Sequence, residues 1–373
     1  MNKELYIGLM SGTSGDGIDA SLIETDGDSH FVAVENLHIP YKYQFQKKLK
    51  ELFINHDDHE KVSLIEQEFT EHNIAITKKL LHKANIDANE IKAIGFAGQT
   101  IIHRPEQGIT WQIGNSNLLA KETAINVVYD FRKSDIANGG QGAPLVPIFH
   151  QLLTKREKKP VAIVNIGGIA NITYIDNNNQ LIAFDTGLGN ALIDDMSNQY
   201  FNKSYDKDGI FAAKGKIDHD IITKILQDDY FNKNYPKSLD RNYFSYIKEQ
   251  ISPKLSPYDI IATLTYITAK SIFQGIKLLP QMPTKLYLCG GGSHNPMIRK
   301  FLETIFQQQN IQLKLDNIQA LNNNIDTDFI ESQAFAYLAA RFYAKLPSSF
   351  SNITGVNKPT ILGSVDICQQ RLG

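Results

Sequence analysis

Residues 5–10, 18–24 and 31–39 are runs of strand-forming, mostly apolar residues, which predicts three consecutive strands joined by turns at 12–17 and 26–29. Helical spacing follows. Phe45, Leu49, Leu52 and Phe53 fall on one face of 44–55, and the same period continues through 60–84. A strand at 91–96, a short helix at 116–123 and a strand at 126–129 complete this series. After a Gly/Pro-rich crossing at 138–147 the order restarts, with strands at 161–166, 170–175 and 181–184 and helices at 191–200 and 264–279. A strand at 285–289, a helix at 296–308, a strand at 311–315 and a helix at 330–346 close it. Residues 206–257, rich in Asn, Asp, Lys and Tyr, interrupt the second series as an insertion.

Three strands, a helix, a strand, a helix, a strand and a helix, met twice, predict two similar α/β lobes, each a mixed sheet covered by helices. The expected division is 1–140 and 141–373, with the last segment able to pack back on the first lobe. The lobes would face each other across a cleft, with a ligand at the glycine-rich turns. A chain of 373 residues is longer than one hydrophobic core usually serves, which agrees with two domains. Apolar residues at 42% exclude a disordered chain, and a formal net charge of -2 argues against nucleic acid or anionic membrane as the main partner. No apolar stretch is long enough to span a bilayer. Two cysteines are too few for a disulfide framework, which points to a reducing cytoplasm; Cys289 sits in a predicted buried strand and reads as core.

Candidate chemistry concentrates in three glycine turns. The first runs from Gly8 to Asp19. Gly12, Gly15 and Gly17 permit close backbone approach to phosphate oxygens, Thr13 and Ser14 add hydroxyl donors, and Ile18 opens the next strand. Asp16 and Asp19 could hold Mg2+. A polar hairpin turn explains the same residues, and the spacing fits neither a P-loop nor a Rossmann fingerprint. Asn165, Gly167 and Gly168 occupy the matching place in the second series. Gly290, Gly291 and Gly292 follow a strand and precede a helix, so bare backbone could lie against a nucleotide. Asp185, after a predicted strand, could project into the cleft or cap the helix near Asn190. Gln99, Thr100 and His103 follow a strand of the first series, where sugar hydroxyls could bind. Arg132 could pair with a carboxylate ligand or, structurally, with Asp130 or Asp135. Glu331 could bind a ligand or serve the dipole of its helix, and Asp194 and Asp195 face solvent. No Cys/His constellation suggests zinc, and no hydroxyl nucleophile sits beside a His–Asp pair.

The three turns resemble the phosphate-one, phosphate-two and adenosine signatures of the superfamily that includes actin, hexokinase, acetate kinase and heat-shock chaperone ATPases. Within it, residues 8–19 are similar to the signature of the anhydro-N-acetylmuramic acid kinase family. Gly98-Gln99-Thr100, Trp111-Gln112-Ile113-Gly114, Asp130-Phe131-Arg132, Phe184-Asp185-Thr186-Gly187, Gly189-Asn190 and the stretch from Gly139 to Pro147 extend the resemblance, as does Glu331 before an Ala-rich helix. The resemblance implies ribonuclease-H-like lobes, ATP and Mg2+, and a homodimer. It implies phosphorylation of 1,6-anhydro-N-acetylmuramic acid with hydrolytic opening of its anhydro bridge, giving N-acetylmuramic acid 6-phosphate for cell-wall recycling. Asp185 would be the general base, and Gln99, Thr100, Gln112, Arg132 and Glu331 would bind the sugar.

Several positions depart from the family. Gly15 replaces a large apolar residue, Leu188 a proline, Asn115-Ser116 an Asp-Gly or Asp-Pro pair, and Phe96-Ala97 a His-Asp pair. Losing acidic groups at Ala97 and Asn115 bears on the sugar more than on ATP. Met10 stands where the wider superfamily has aspartate, so Mg2+ depends on Asp16, on Asp185 or on the phosphates alone. Two rivals follow: a kinase of another anhydro sugar such as levoglucosan, and a nucleotide-gated binding ATPase.

Overall fold

The computed structural model describes residues 2–12, 15–239, 243–251, 254–322 and 325–368. Its strands, in chain order, are β1 (Glu4–Met10), β2 (Gly17–Thr25), β3 (Phe31–Pro40), β4 (Ile91–Phe96), β5 (Gln99–Arg104), β6 (Ile109–Ile113) and β7 (Val127–Tyr129). Then come β8 (Val161–Ile166), β9 (Ile169–Ile175), β10 (Leu181–Leu188), β11 (Lys285–Cys289), β12 (Lys314–Asn317) and β13 (Ser364–Asp366). Two compact units result, Met1–Leu152 with Phe329–Gly373, and Leu153–Asp328. Against the expected 1–140, the first unit also takes in 141–152 and the chain from 329 onward.

Each unit holds one large sheet with the same strand order. In the first it is β3-β2-β1-β4-β7, extended by β13 at the β7 edge; in the second it is β10-β9-β8-β11-β12. In both, the first three strands form an antiparallel meander and the next two run parallel to the first. The two similar α/β lobes that the element order predicts, ribonuclease-H-like as the resemblance implies, are therefore present. β5 and β6 form a separate antiparallel hairpin in the first unit.

Sheet and helices meet over apolar faces. In the first unit Ile7, Leu9, Leu22 and Ile94 pack with Phe45 and Phe69 of the helices Tyr43–Ile54 and His59–Ala84. On the other face lies the helix Ile330–Tyr343, whose backbone comes against two glycines of the sheet. A Cβ on Gly8 would overlap the Ser332 carbonyl, and one on Gly95 would overlap that of Phe335. In the second unit Ile172, Phe184 and Leu288 pack with Ile272 and Ile298.

Several elements differ from expectation for local reasons. The helix expected at 264–279 is Pro257–Lys277, because Ser256 caps it by accepting from the Asp259 N–H and Pro257 fits the first turn. β10 continues past Phe184 to Leu188 through a register shift between Asp185 and Gly187. The segment read as an insertion is described at residues 206–239, 243–251 and 254–257. They fold into short helices and turns around Tyr230, Phe231, Phe244 and Ile247, which join Leu192 and Ile261 in a further core cluster.

The missing Cβ at Gly8 sets the first prediction. Gly8→Ala is expected to cost roughly 3 kcal/mol, because backbone rather than a movable side chain blocks the methyl group. Gly108→Ala, with open space but a φ of +70°, should cost only about 1 kcal/mol. Denaturant midpoints of the two variants check this order, and equal losses would contradict it.

Candidate active site

In the first unit the turn between β1 and β2 is clamped from below. Ser11 Oγ donates to Gln99 Oε1 at 2.7 Å and Gln99 Nε2 donates to the Gly12 carbonyl at 3.2 Å. Ser11 Oγ also lies 3.0 Å from the Gly17 carbonyl and from Tyr41 Oη. Gln99 is wholly buried, so its amide is spent on holding the loop. Within the loop the Gly15 N–H donates to the Gly12 carbonyl at 3.1 Å, and the Tyr41 N–H to the Asp16 carbonyl at 2.8 Å. At its far end Asp19 Oδ1 lies 2.7 Å from His38 Nδ1, and Ile18 is core. Thr13 and Ser14 lie outside the described residues.

Beside this loop the hairpin β5–β6 gathers polar groups. Gln112 Nε2 donates to Thr110 Oγ1 at 2.7 Å and to Thr100 Oγ1 at 3.4 Å, and His103 Nδ1 lies 3.1 Å from Thr110 Oγ1. Gln112 Oε1 and His103 Nε2 are buried and have no hydrogen-bond partner among the described residues. Arg132 Nη1 donates to the Gly142 carbonyl at 2.9 Å, and Gly142 lies against the His103 ring. Desolvation, and then the Arg132 charge, depress the His103 pKa to about 4, so the ring is neutral at physiological pH. Asp130 pairs with Lys133 at 3.1 Å, while buried Asp135 accepts from the Gly142 N–H and from Thr354. Glu331 lies half-buried in the first turn of Ile330–Tyr343.

The second unit brings its two glycine turns together. Gly167 and Gly168 join β8 to β9; the Asn190 N–H donates to the Gly167 carbonyl at 2.7 Å, and the Gly189 N–H to that of Gly168 at 3.2 Å. A Cβ on Gly290 would overlap Asn165 Oδ1, and one on Gly292 would overlap Ile166. Gly291 is different, for its nearest neighbour would be Asn190 Nδ2 at 3.9 Å, which leaves that backbone bare on one side.

Asp185 lies inside β10, not on a loop after it, because the strand carries on through the bulge. The helix Ala191–Phe201 has Asn190 at its N-cap, so Asp185 is no cap. Asn165 on β8, Asn171 on β9 and Asp185 on β10 stand opposite one another in the ladder. In-register neighbours share a face, which puts the carboxylate in one row with the two amides. Leu239 N–H donates to Asp185 Oδ2 at 2.8 Å, and Tyr230 Oη donates to the Asp185 carbonyl at 2.6 Å. Leu239, Tyr230 and Lys237 were not legible as site residues, because nothing in their polar segment has a period. Two departures are absorbed by packing: Asn115 caps the helix Ser116–Thr123 by accepting from the Leu118 N–H, and Leu188 is buried.

The sequence model described as "Anhydro-N-acetylmuramic acid kinase" matches residues 4–367. A protein of that name from Rhizorhabdus wittichii is 42% identical over 366 residues, 96% of this chain and 98% of that one. Proteins of the same name from Shewanella oneidensis and Zymomonas mobilis are 41% and 39% identical, each covering 97% of this chain and 98% and 99% of their own. These similarities over the full length make the chain a kinase, an ATP-using phosphotransferase. It belongs to the anhydro-N-acetylmuramic acid kinase family. Among the described residues no helix is long and apolar enough to cross a membrane.

The half-buried His103 makes stability depend on pH with a definite sign. Its folded pKa lies near 4 and its unfolded value near 6.5, so between the two the unfolded chain binds the proton that the folded one refuses. Stability should fall as pH drops from about 6.5 towards 4. His150, buried and depressed to about 3, acts in the same direction. His103→Gln should flatten this decline, as read from denaturant midpoints at several pH values; an unchanged slope would contradict the assignment.

Proposed function

We propose that this chain uses ATP to phosphorylate 1,6-anhydro-N-acetylmuramic acid while water opens the anhydro bridge, giving N-acetylmuramic acid 6-phosphate and ADP. The observation that carries the chemistry is the half-buried Asp185 carboxylate, one oxygen of which is fixed by the Leu239 N–H. A general base must be held within hydrogen-bond reach of the proton it takes. Asp185 takes a proton from water as the water oxygen attacks the anomeric carbon. The bond from that carbon to the bridge oxygen breaks, and the bridge oxygen, still on carbon six, attacks the γ-phosphorus as ADP leaves.

The substrate assignment is supported by the names of the relatives and by the polar hairpin. His103 Nε2 and Gln112 Oε1 supply a donor or acceptor pair for sugar groups, and Arg132 beside them supplies a cation for the lactyl carboxylate. Levoglucosan lacks that carboxylate, so Arg132 would have no role towards it. Thr100, Gln99 and Glu331 complete the sugar assignment, with Gln99 acting through the loop it clamps. The turns at Gly12–Gly17, Gly167–Gly168 and Gly290–Gly292, with Asn165 and Asp19, are assigned to ATP. Mg2+ fits Asp16. Among the described residues no cluster of three ligating side chains occurs, and Mg2+ typically uses one or two carboxylates with phosphates and water. When bound, it neutralises charge on the transferring phosphate. The family's homodimer and a cytoplasmic location complete the proposal.

Solvent oxygen tests the coupling. In heavy-oxygen water the label should enter the anomeric hydroxyl of the product and leave the phosphate unlabelled. Label in inorganic phosphate, or an intact ring in the phosphorylated product, would overturn the proposal. Asp185→Asn should lower turnover by roughly two orders of magnitude or more with ATP affinity kept; activity within a few-fold of the parent would remove the base assignment. Gly291→Val, placed in open space, should raise KM for ATP without moving the thermal midpoint, and an unchanged KM would remove Gly291 from the nucleotide site.

A further inference from the structure

Residues 230–239 close a hydrogen-bonded ring on Asp185. The Asp185 N–H donates to the Lys237 carbonyl at 3.0 Å, Lys237 Nζ donates to the Tyr230 carbonyl at 3.0 Å, and Tyr230 Oη returns to the Asp185 carbonyl at 2.6 Å. Leu239, two residues beyond Lys237, holds the carboxylate itself. The lysine is only 6% exposed. Its ammonium sits 4.6 Å from the centre of the Tyr230 ring and 5.6 Å from that of Phe184, the residue before Asp185. Tyr235 stacks on the other aromatic partner, Phe184, at 5.3 Å.

A buried ammonium is costly to keep, and an apolar side chain of similar size would fill the same space without that cost. Desolvation, with the nearby Lys233, depresses the Lys237 pKa to about 8, against the pull of Asp185. Burial and the Asp185 charge raise the pKa of Tyr230, so its hydroxyl remains a donor to the Asp185 carbonyl at every working pH. The bond to the Tyr230 carbonyl and the two aromatic faces offset the cost of burying the ammonium, and the same contacts tie residues 230–239 to Asp185.

We infer that Lys237 is a positioning residue for the phosphoryl-transfer reaction: its ammonium grips the carbonyl and ring of Tyr230 and, through the ring of bonds, holds Asp185 in the orientation that accepts the proton of water. This rests on Asp185 being the general base. The role of the segment 206–257 follows from it. The segment carries the strap that orients the carboxylate, on the sheet row in which Asp185 stands.

The test uses the full-length enzyme with ATP and the anhydro sugar, comparing the parent with Lys237→Met, Asp185→Asn and the double variant. Lys237→Met should lower kcat roughly 10- to 100-fold, with KM for ATP within about twofold of the parent. In the Asp185→Asn background the same change should bring no further loss, because a residue that acts only through Asp185 has nothing left to orient. A parent-like kcat for Lys237→Met, or an equal fractional loss in both backgrounds, would overturn the inference and leave a purely structural lysine. Should Lys237→Met fail to fold, Tyr230→Phe removes only the hydroxyl of the ring and is measured in the same two backgrounds, with the same criteria. An active Asp185→Asn enzyme would instead overturn the base assignment itself, so the two failures are distinguishable.

Discussion

At a few glycines in both units, neighbouring atoms come closer to the backbone than a Cβ would allow. At Gly8 and Gly95 the missing Cβ lets the helix Ile330–Tyr343 settle directly on β1 and β4, which returns the end of the chain to the first unit and carries Glu331 with it. At Gly290 and Gly292 the same absence lets the loop after β11 lie on Asn165 and Ile166 of β8. At Gly187, where φ is +145°, a methyl group would meet Phe231 and Ser271, so the strand can bulge only because nothing projects there. Helix placement, turn placement and the course of β10 past Asp185 share this one requirement.

The bulge in turn explains why Asp185 can be both in a strand and available. A regular strand would pair the residue after Asp185 with Ala170, whereas here Gly187 does so and Thr186 is the extra residue. Thr186 Oγ1 donates to the Ala170 carbonyl at 3.1 Å, which ties the bulge to β9. The Asp185 backbone N–H and carbonyl are then left to face residues 230–239 and not another strand. A carboxylate at a sheet edge would otherwise be oriented only by its own rotamer. Here a backbone N–H from the strap fixes one oxygen, the type of bond that costs little motion to maintain.

Legibility followed periodicity. The strands β1, β4, β8 and β11 and the helix Pro296–Gln308 have clear apolar runs or faces and were placed within a residue or two. β10 was cut short because Asp-Thr-Gly has the composition of a turn, and only tertiary pairing makes it a strand. The hairpin β5–β6 has no clear period in the sequence, because Gln99, Thr100, Thr110 and Gln112 interrupt its alternation. Residues 206–257 escaped for a related reason: short helical turns have no period, and their core of Tyr230, Phe231 and Phe244 is scattered among lysines and aspartates. Gln99 stood out as a polar residue after a strand, but a sequence cannot show that its amide is consumed by Ser11 and Gly12.

The departures from the family pattern separate once packing is considered. Asn115 spends its side chain on the cap of a helix and its N–H on Thr70 Oγ1 at 3.0 Å, and Leu188 lies in a core with Leu192 and Ile267. The Asn115 Oδ1 and the Leu188 side chain are thereby committed to the fold. In the proposed reaction, discrimination between sugars then falls on groups that the fold leaves available: the buried Nε2 of His103 and Oε1 of Gln112, beside Arg132. A neutral imidazole next to a permanent cation is a stable arrangement, since the guanidinium itself opposes protonation of the ring. Arg132, which lies outside the hairpin, thus sets one fixed positive charge beside two uncharged polar atoms of it, a combination suited in the proposed reaction to a sugar that carries a single carboxylate among neutral hydroxyl and amide groups.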